Sequence, residues 1–452
     1  MTDDGRRGLF VSVFLFYAVL LVNYQFPSLS ISMSSRTFLL CLGSLTWIAS
    51  VIGFYRTPWT AWVLTFLVLI PLEFSAPFLF IRSFSPIDYL GFAAILALLA
   101  KLNWGDLWRR LSAAFGKVVI ALWGAFFSFA VLSSLYLHGN PLKDFRWVFF
   151  LLTYFVTWNA AQEESSENLQ NKVCFLASVL GGLIGAVALL QFVHHHMDFM
   201  AATATFGQHN SVGAYLSLCL PLSISSITAH GKNRLSRYGL AFLCTAGLIV
   251  SYSRGAMLGL VIGVLLLYGI PYFKHFTIRH VVLLASGILV LGVLSKHFLR
   301  HDLNGRNFYW AAGLEILRAH PLVGLGPGNY ATHIKDYLTG DAARLYRDDV
   351  QFHRRLLFWL NLHNLYLQIL VEHGLVGGCL FLFAFAGIIC KAFGRADNDL
   401  KNACCVSIIG FLVHNVFDIT AVSSFEIFVG ILIALAQIDS REKNAHSFDS
   451  PH

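Results

Sequence analysis

The apolar residues of this chain gather in runs of roughly 15 to 22, long enough as helices to cross a hydrocarbon layer about 30 Å thick. Fourteen such spans suggest themselves, at 8–26, 37–54, 59–80, 86–100, 118–137, 146–161, 173–193, 211–229, 239–252, 256–270, 281–297, 364–390, 403–417 and 421–437. Discounting short or proline-bearing spans leaves twelve or thirteen. Composition agrees, because 57% of the 452 residues are hydrophobic and 12% charged, against about 25% charged in an ordinary soluble domain. The alternating ten-residue strands of an outer-membrane barrel are absent. The expected fold is therefore all-α, a polytopic integral membrane protein of about 12–14 helices.

The net charge is +8, and its distribution sets an orientation, since Lys and Arg concentrate in short cytoplasmic loops. With a cytoplasmic N-terminus, one side carries 18 Lys and Arg, among them Arg6, Arg56, Arg110, Lys172, Arg237 and Lys391. The other side's short loops carry only Arg36, Arg82, Lys143, Arg146 and Arg254. Both termini are then cytoplasmic, and the long hydrophilic loop near 298–362 faces outward. Residues 8–26 read as a first anchor rather than a cleaved signal, for no small-residue cleavage site follows them cleanly. The eight cysteines sit in apolar spans without CxxC spacing and read as small hydrophobes. His194, His195 and His196 read as a membrane-interface cluster rather than a metal site.

Five units follow: N-terminal transmembrane helices over 1–200, transmembrane helices with an SRG motif over 201–297, the loop over 298–362, C-terminal transmembrane helices over 363–438 and a cytoplasmic tail over 439–452. The first half holds few intramembrane charges beyond Glu73 and Asp88, near span ends. Within the loop, residues 307–319 have the spacing of a helix, with Phe308, Ala311, Leu314 and Leu317 on one side. The breakers of PLVGLGPGN end it, and a second short helix is expected over 329–338. Tyr309 and Trp310 suit an interfacial position. Gly324, Gly326 and Gly328 read as a structural turn, because the strand context of phosphate-cradling loops is missing.

The polar residues with chemical promise lie in the second half. Arg254, in SYSRGAMLG, stands beside two apolar helices, where a guanidinium must pair or meet water, and its planar fork suits phosphate oxygens. Arg306 opens the loop helix, where backbone N–H groups and a guanidinium together favour an anion. His363 begins LHNLYLQILVEHG, in which Asn364, Gln368 and Glu372 recur every four residues along one face. Such a stripe must point into protein or a wet cavity. That puts an imidazole able to take a proton from a hydroxyl at the cavity mouth. In HNVFD, His414 and Asp418 are one turn apart, spaced either for a carboxylate to orient an imidazole or for plain helix packing. Gln208, His209 and Asn210 open an outward helix end. With Asn364, Tyr309, His414 and Asp418, they form an expected supporting set.

Taken in order, SYSRGAMLG, GRNFYWAAGLEILRAHPLVGLGPGNY, HNLYLQILVEHGLVG and HNVFD resemble the O-antigen ligase and O-antigen polymerase superfamily of membrane glycosyltransferases, over roughly residues 200–440. The resemblance implies a GT-C-like helical fold at the bacterial inner membrane, its large periplasmic loop capping a cavity. It implies an undecaprenyl-pyrophosphate-linked glycan as donor, lipid A core or another glycan as acceptor, and inversion at the anomeric carbon without metal or other cofactor. Membrane lipids are the remaining expected partners; nucleic acid is not one. The family's two donor-binding arginines correspond to Arg254 and Arg306, and its histidine to His363 as the catalytic base. The basic stretch from Arg344 to Arg355 leans towards a phosphate-bearing acceptor such as lipopolysaccharide core, hence a ligase. A transporter is the rival from another class, but midplane charges and repeated halves, its usual marks, are not apparent.

Overall fold

The computed structural model describes residues 33–72, 86–198, 202–229, 234–269, 303–337, 361–393, 399–419 and 424–437, with five residues between 9 and 15. The expected span 281–297, most of 8–26, Glu73, the stretch Arg344 to Arg355 and the tail 439–452 lie outside the described residues. What is described is helical, as a membrane requires, because a chain in hydrocarbon must satisfy its backbone polar groups within each segment. The helices are α1 (Met33–Arg56), α2 (Trp59–Leu69), α3 (Pro86–Lys101), α4 (Trp104–Phe115), α5 (Lys117–Leu137), α6 (Phe145–Glu163), α7 (Ser166–His194) and α8 (His209–Ala229). They continue with α9 (Arg234–Val250), α10 (Arg254–Val264), α11 (Leu303–Ala319), α12 (Tyr330–His333), α13 (Leu365–Ala392), α14 (Asp399–Phe417) and α15 (Phe425–Gln437).

Among the described residues, five helices are long and apolar enough to cross a bilayer: α5, α7, α8, α13 and α14. The pair α3 and α4, bent by 117° between them, would make a sixth. Two expectations are redrawn. Within the expected span 59–80, an eleven-residue helix over Trp59–Leu69 passes into a 3-10 turn over Ile70–Leu72, and residues 73–80 lie outside the described residues. The connection after residue 101 holds α4, whose start is capped by the Asn103 side chain accepting from Asp106 N–H at 2.8 Å.

Packing depends on glycines where two backbones touch. A Cβ on Gly247 of α9 would lie 2.4 Å from the Gly185 Cα of α7, and one on Gly259 of α10 would lie 2.4 Å from the Gly410 carbonyl of α14. Small residues at such crossings let dispersion hold helices together where lipid removes the hydrophobic drive. Where α5, α6 and α13 meet, the space is filled instead by rings, with Trp147 and Phe381 centroids 4.7 Å apart. Because connections alternate between the two ends of this bundle, the starts of α8, α10, α13 and α15 and the end of α14 share one end. That end carries the polar residues singled out above.

Candidate active site

With 28 residues, α13 has chain enough for about 42 Å of unbroken helix, some 12 Å more than the hydrocarbon needs. Its surplus is at the end that carries His363. Gly374 interrupts the helix with φ 63° and ψ −170°, and from Gly374 to Ala392 the helix already measures about 28 Å. The turn preceding it is thus set apart from the spanning part, and Asn364, Gln368 and Glu372 need not enter hydrocarbon.

The turn after α11 repairs the break. The Leu325 and Gly326 N–H groups donate to the carbonyls of Val371 and Glu372 at 3.0 and 2.9 Å. On the far side of Gly374, the Leu375 and Val376 N–H groups donate to Pro321 and Leu322 at 2.8 and 3.2 Å. Four backbone groups beside the kink thus find partners in the turn, as buried backbone groups demand. Two glycines make this contact possible. A Cβ on Gly374 would sit 2.3 Å from the Leu322 carbonyl, and one on Gly324 (φ 71°) would sit 2.6 Å from the Val371 oxygen. Gly324 and Gly326 therefore serve as turn and contact residues. Asn329 Nδ2 ties the same turn to the Leu137 carbonyl at the end of α5, at 3.0 Å.

The repaired joint holds the His363 segment. His363 is buried and adopts a left-handed backbone, φ 50°, costly for a residue with a side chain. Its N–H donates to Asn361 Oδ1 at 3.0 Å, and Asn364 caps α13 by accepting from Leu367 N–H at 2.9 Å. The imidazole meets Asp418, with Nδ1 and Oδ1 2.9 Å apart. A carboxylate can only accept, so Nδ1 carries the hydrogen and Nε2 the lone pair of a base. Asp418 is itself oriented, its Oδ2 accepting from Asn210 Nδ2 at 2.7 Å and its Oδ1 from the Ile419 N–H at 2.8 Å. The carboxylate in HNVFD thus orients His363 from across the bundle, not His414 one turn away. Its own backbone N–H still closes onto the His414 carbonyl at 3.0 Å.

Arg254 is the first residue of α10, where aligned peptide dipoles add positive potential and no acidic residue enters the first turn. Its guanidinium lies over the Tyr252 ring, 5.0 Å from the centroid, in a turn where Tyr252 is left-handed (φ 49°). The start of α8 braces this turn. His209 Nδ1 donates to the Ser251 carbonyl at 2.9 Å, and a Cβ on Gly213 would overlap Ser253 at 2.2 Å. On the other side, a Cβ on Gly255 would lie 2.8 Å from the His414 ring, so His414 supports the arginine's helix. Gln208 is exposed and lends its carbonyl to α8; the structure does not bring it into the network.

Helix α11 completes the arrangement. Its buried stripe is Tyr309, Ala312 and Ile316, with Ala311 partly buried beside it, whereas Leu314 of the expected side is exposed; the Phe308 side chain lies outside the described residues. Gly313 decides the register by letting α11 settle on Leu362, 2.9 Å from where its Cβ would be. Tyr309 and Trp310 consequently face the His363 segment. The Tyr309 ring centroid is 5.7 Å from that of His363, and Trp310 Nε1 donates to the Leu362 carbonyl at 3.0 Å. Burial pushes the Tyr309 hydroxyl up to about 12, so it stays protonated at neutral pH. Arg306 lies one turn before these residues in α11; its side chain is outside the described residues.

An imidazole with a fixed tautomer, a carboxylate behind it and an arginine at a helix start share one end of the bundle. Residues 239–382 match the family described as O-antigen ligase. Over this third of its length the chain is similar to the O-antigen ligase superfamily. It is also 24% identical over 314 residues to the "Exopolysaccharide production protein ExoQ" of Rhizobium meliloti (strain 1021), covering 59% of this chain and 69% of that one. The O-antigen ligase match contains Arg254, Arg306, Tyr309, His363 and Gly374 but ends before His414 and Asp418. The carboxylate that orients His363 and the Asn210 that holds it flank the matched region on both sides. Proximity in the fold reveals them, and only the HNVFD and QHN motifs hint at them in sequence.

Proposed function

We propose that this protein transfers a glycan from an undecaprenyl-pyrophosphate carrier to the lipid A core oligosaccharide, at the periplasmic face of the inner membrane. The single observation behind this reading is the His363–Asp418 pair, which gives a base with its lone pair on Nε2. His363 takes the proton of an acceptor sugar hydroxyl as that oxygen attacks the anomeric carbon. The carbon–oxygen bond to the pyrophosphate breaks with inversion, and its electron pair leaves on the pyrophosphate. Arg254 at the start of α10, together with Arg306, binds that pyrophosphate and stabilises its growing charge. Asp418 keeps the tautomer and stabilises the imidazolium, as the carboxylate does in other base–carboxylate pairs.

A second reading, polymerisation of repeat units on the same carrier, draws support from the relative named for exopolysaccharide production. It uses the same chemistry on a different acceptor hydroxyl. Transfer assays with purified protein, comparing the unaltered chain with Arg254→Ala, Arg306→Ala and His363→Ala, test the shared mechanism; full activity in all three rejects it. Lipopolysaccharide profiles of cells with and without the gene separate the readings. Loss of every long chain on core supports the ligase, whereas core bearing one repeat unit supports the polymerase.

A further inference from the structure

The polar stripe on α13 has two members that the proposed chemistry leaves unused. Gln368 Oε1 accepts from the Leu362 N–H at 3.0 Å, and its Nε2 donates to Glu372 Oε1 at 2.7 Å. The Gly328 N–H of the glycine-rich turn interacts with the same carboxylate. Lys143, Asp144 and His373 are the other charged or titratable groups around it, with His373 Nε2 3.2 Å from Asp144 Oδ1. Leu362 is therefore gripped at both of its backbone groups, its N–H by Gln368 and its carbonyl by Trp310. Leu362 precedes His363, whose left-handed backbone would otherwise relax.

We infer that Gln368 and Glu372 are positioning residues that hold the backbone of Leu362 and so keep His363 in its left-handed geometry. This rests on the reading of His363 as the base. The Leu362 N–H can only donate, so the residue at 368 accepts from it and its remaining group donates to 372. The carboxylate at 372 accepts that amide and faces the Gly328 N–H of the turn. Gln368→Glu sets two acceptors against each other, and Glu372→Gln sets an amide N–H₂ against the Gln368 N–H₂ or forfeits the turn. Combining the two substitutions reverses one bond and keeps every other. The carboxylate then at position 368 accepts from Leu362 and from the amide N–H₂ then at position 372, whose carbonyl oxygen accepts from the turn.

The test uses the full-length protein in lipid nanodiscs, with the donor and acceptor that support transfer by the unaltered chain. Each single variant is expected to lose about tenfold in kcat, a modest misplacement of the base, with donor KM and thermal midpoint little changed. The double variant is expected to recover most of the loss. Hydrogen exchange, read without substrate, is expected to quicken for the peptide covering 361–364 in each single variant and to slow again in the double. Unchanged kcat in the singles, no recovery in the double, or unaltered exchange would overturn the inference. If His363→Ala is inactive while any of these contrary results is found, the base assignment survives and only the positioning role fails. A fully active His363→Ala removes both.

Discussion

Three cations of the bundle meet helix ends in opposite ways. Away from the site, two lysines reach helix C-termini. Lys391 Nζ donates to the Ala114 and Phe115 carbonyls closing α4, at 3.0 and 2.6 Å, and Lys101 Nζ donates to the Thr57 carbonyl just beyond α1 at 2.7 Å. There the positive charge cancels the negative pole of the helix and satisfies its last carbonyls. At the site end, Arg254 begins a helix, so side chain and dipole have the same sign. Such an arrangement adds nothing to the helix dipole's stability and gains when an anion arrives. Lys391 and Lys101 therefore read as structural and Arg254 as a binding group, and the difference between these three is which helix terminus each meets.

Paired substitutions can break that comparison. Arg254→Ala is expected to lower transfer by about 10²- to 10³-fold, the scale of losing a group that meets developing charge, while leaving the thermal midpoint in place. Lys391→Met should do the reverse, keeping activity and lowering stability by about 1 kcal/mol, because the lysine is partly hydrated. Equal effects of the two on transfer rate would dissolve the distinction.

Asp418→Asn comes next, with a loss on the order of 10²-fold in kcat, since an amide can offer its N–H₂ to Nδ1 and stabilise the wrong tautomer. Donor KM should hold steady, and a parallel rise in KM would argue for a binding role instead. Gly374→Ala acts on the joint itself. Its Cβ has no room against Leu322, so the turn must leave the helix. Thermal unfolding in detergent should show at least about 2 kcal/mol of destabilisation. Smallest is Trp310→Phe, which removes one hydrogen bond to Leu362, worth about 1 kcal/mol. A several-fold fall in kcat is expected there, with folding retained.

Much of this architecture is legible in the residues. Apolar runs announce spans because hydrocarbon excludes unsatisfied backbone, and the breakers of PLVGLGPGN end the loop helix where they should. Arg254 and His363 stand out because polar groups beside a membrane need a reason. The loop helix is readable too, but periodicity puts its buried face one position away from where it lies. Gly313 carries no hydrophobic signal and yet decides how closely α11 approaches Leu362. One-turn spacing pairs His414 with Asp418, a rule that holds for surface neighbours on one helix. Across the bundle, Asp418 has a better partner 55 residues earlier in the chain.

By itself the sequence determined that this chain is a helical membrane protein with its candidate polar residues gathered in a few motifs of the second half, because hydrophobic length and loop charge act locally and read out in order. Only the tertiary structure decided that Asp418 belongs to His363, that Asn210 holds Asp418, and that the glycine turn mends a broken helix. Those choices depend on which distant groups arrive together as glycines let backbones touch, and no spacing along a single chain encodes that arrival.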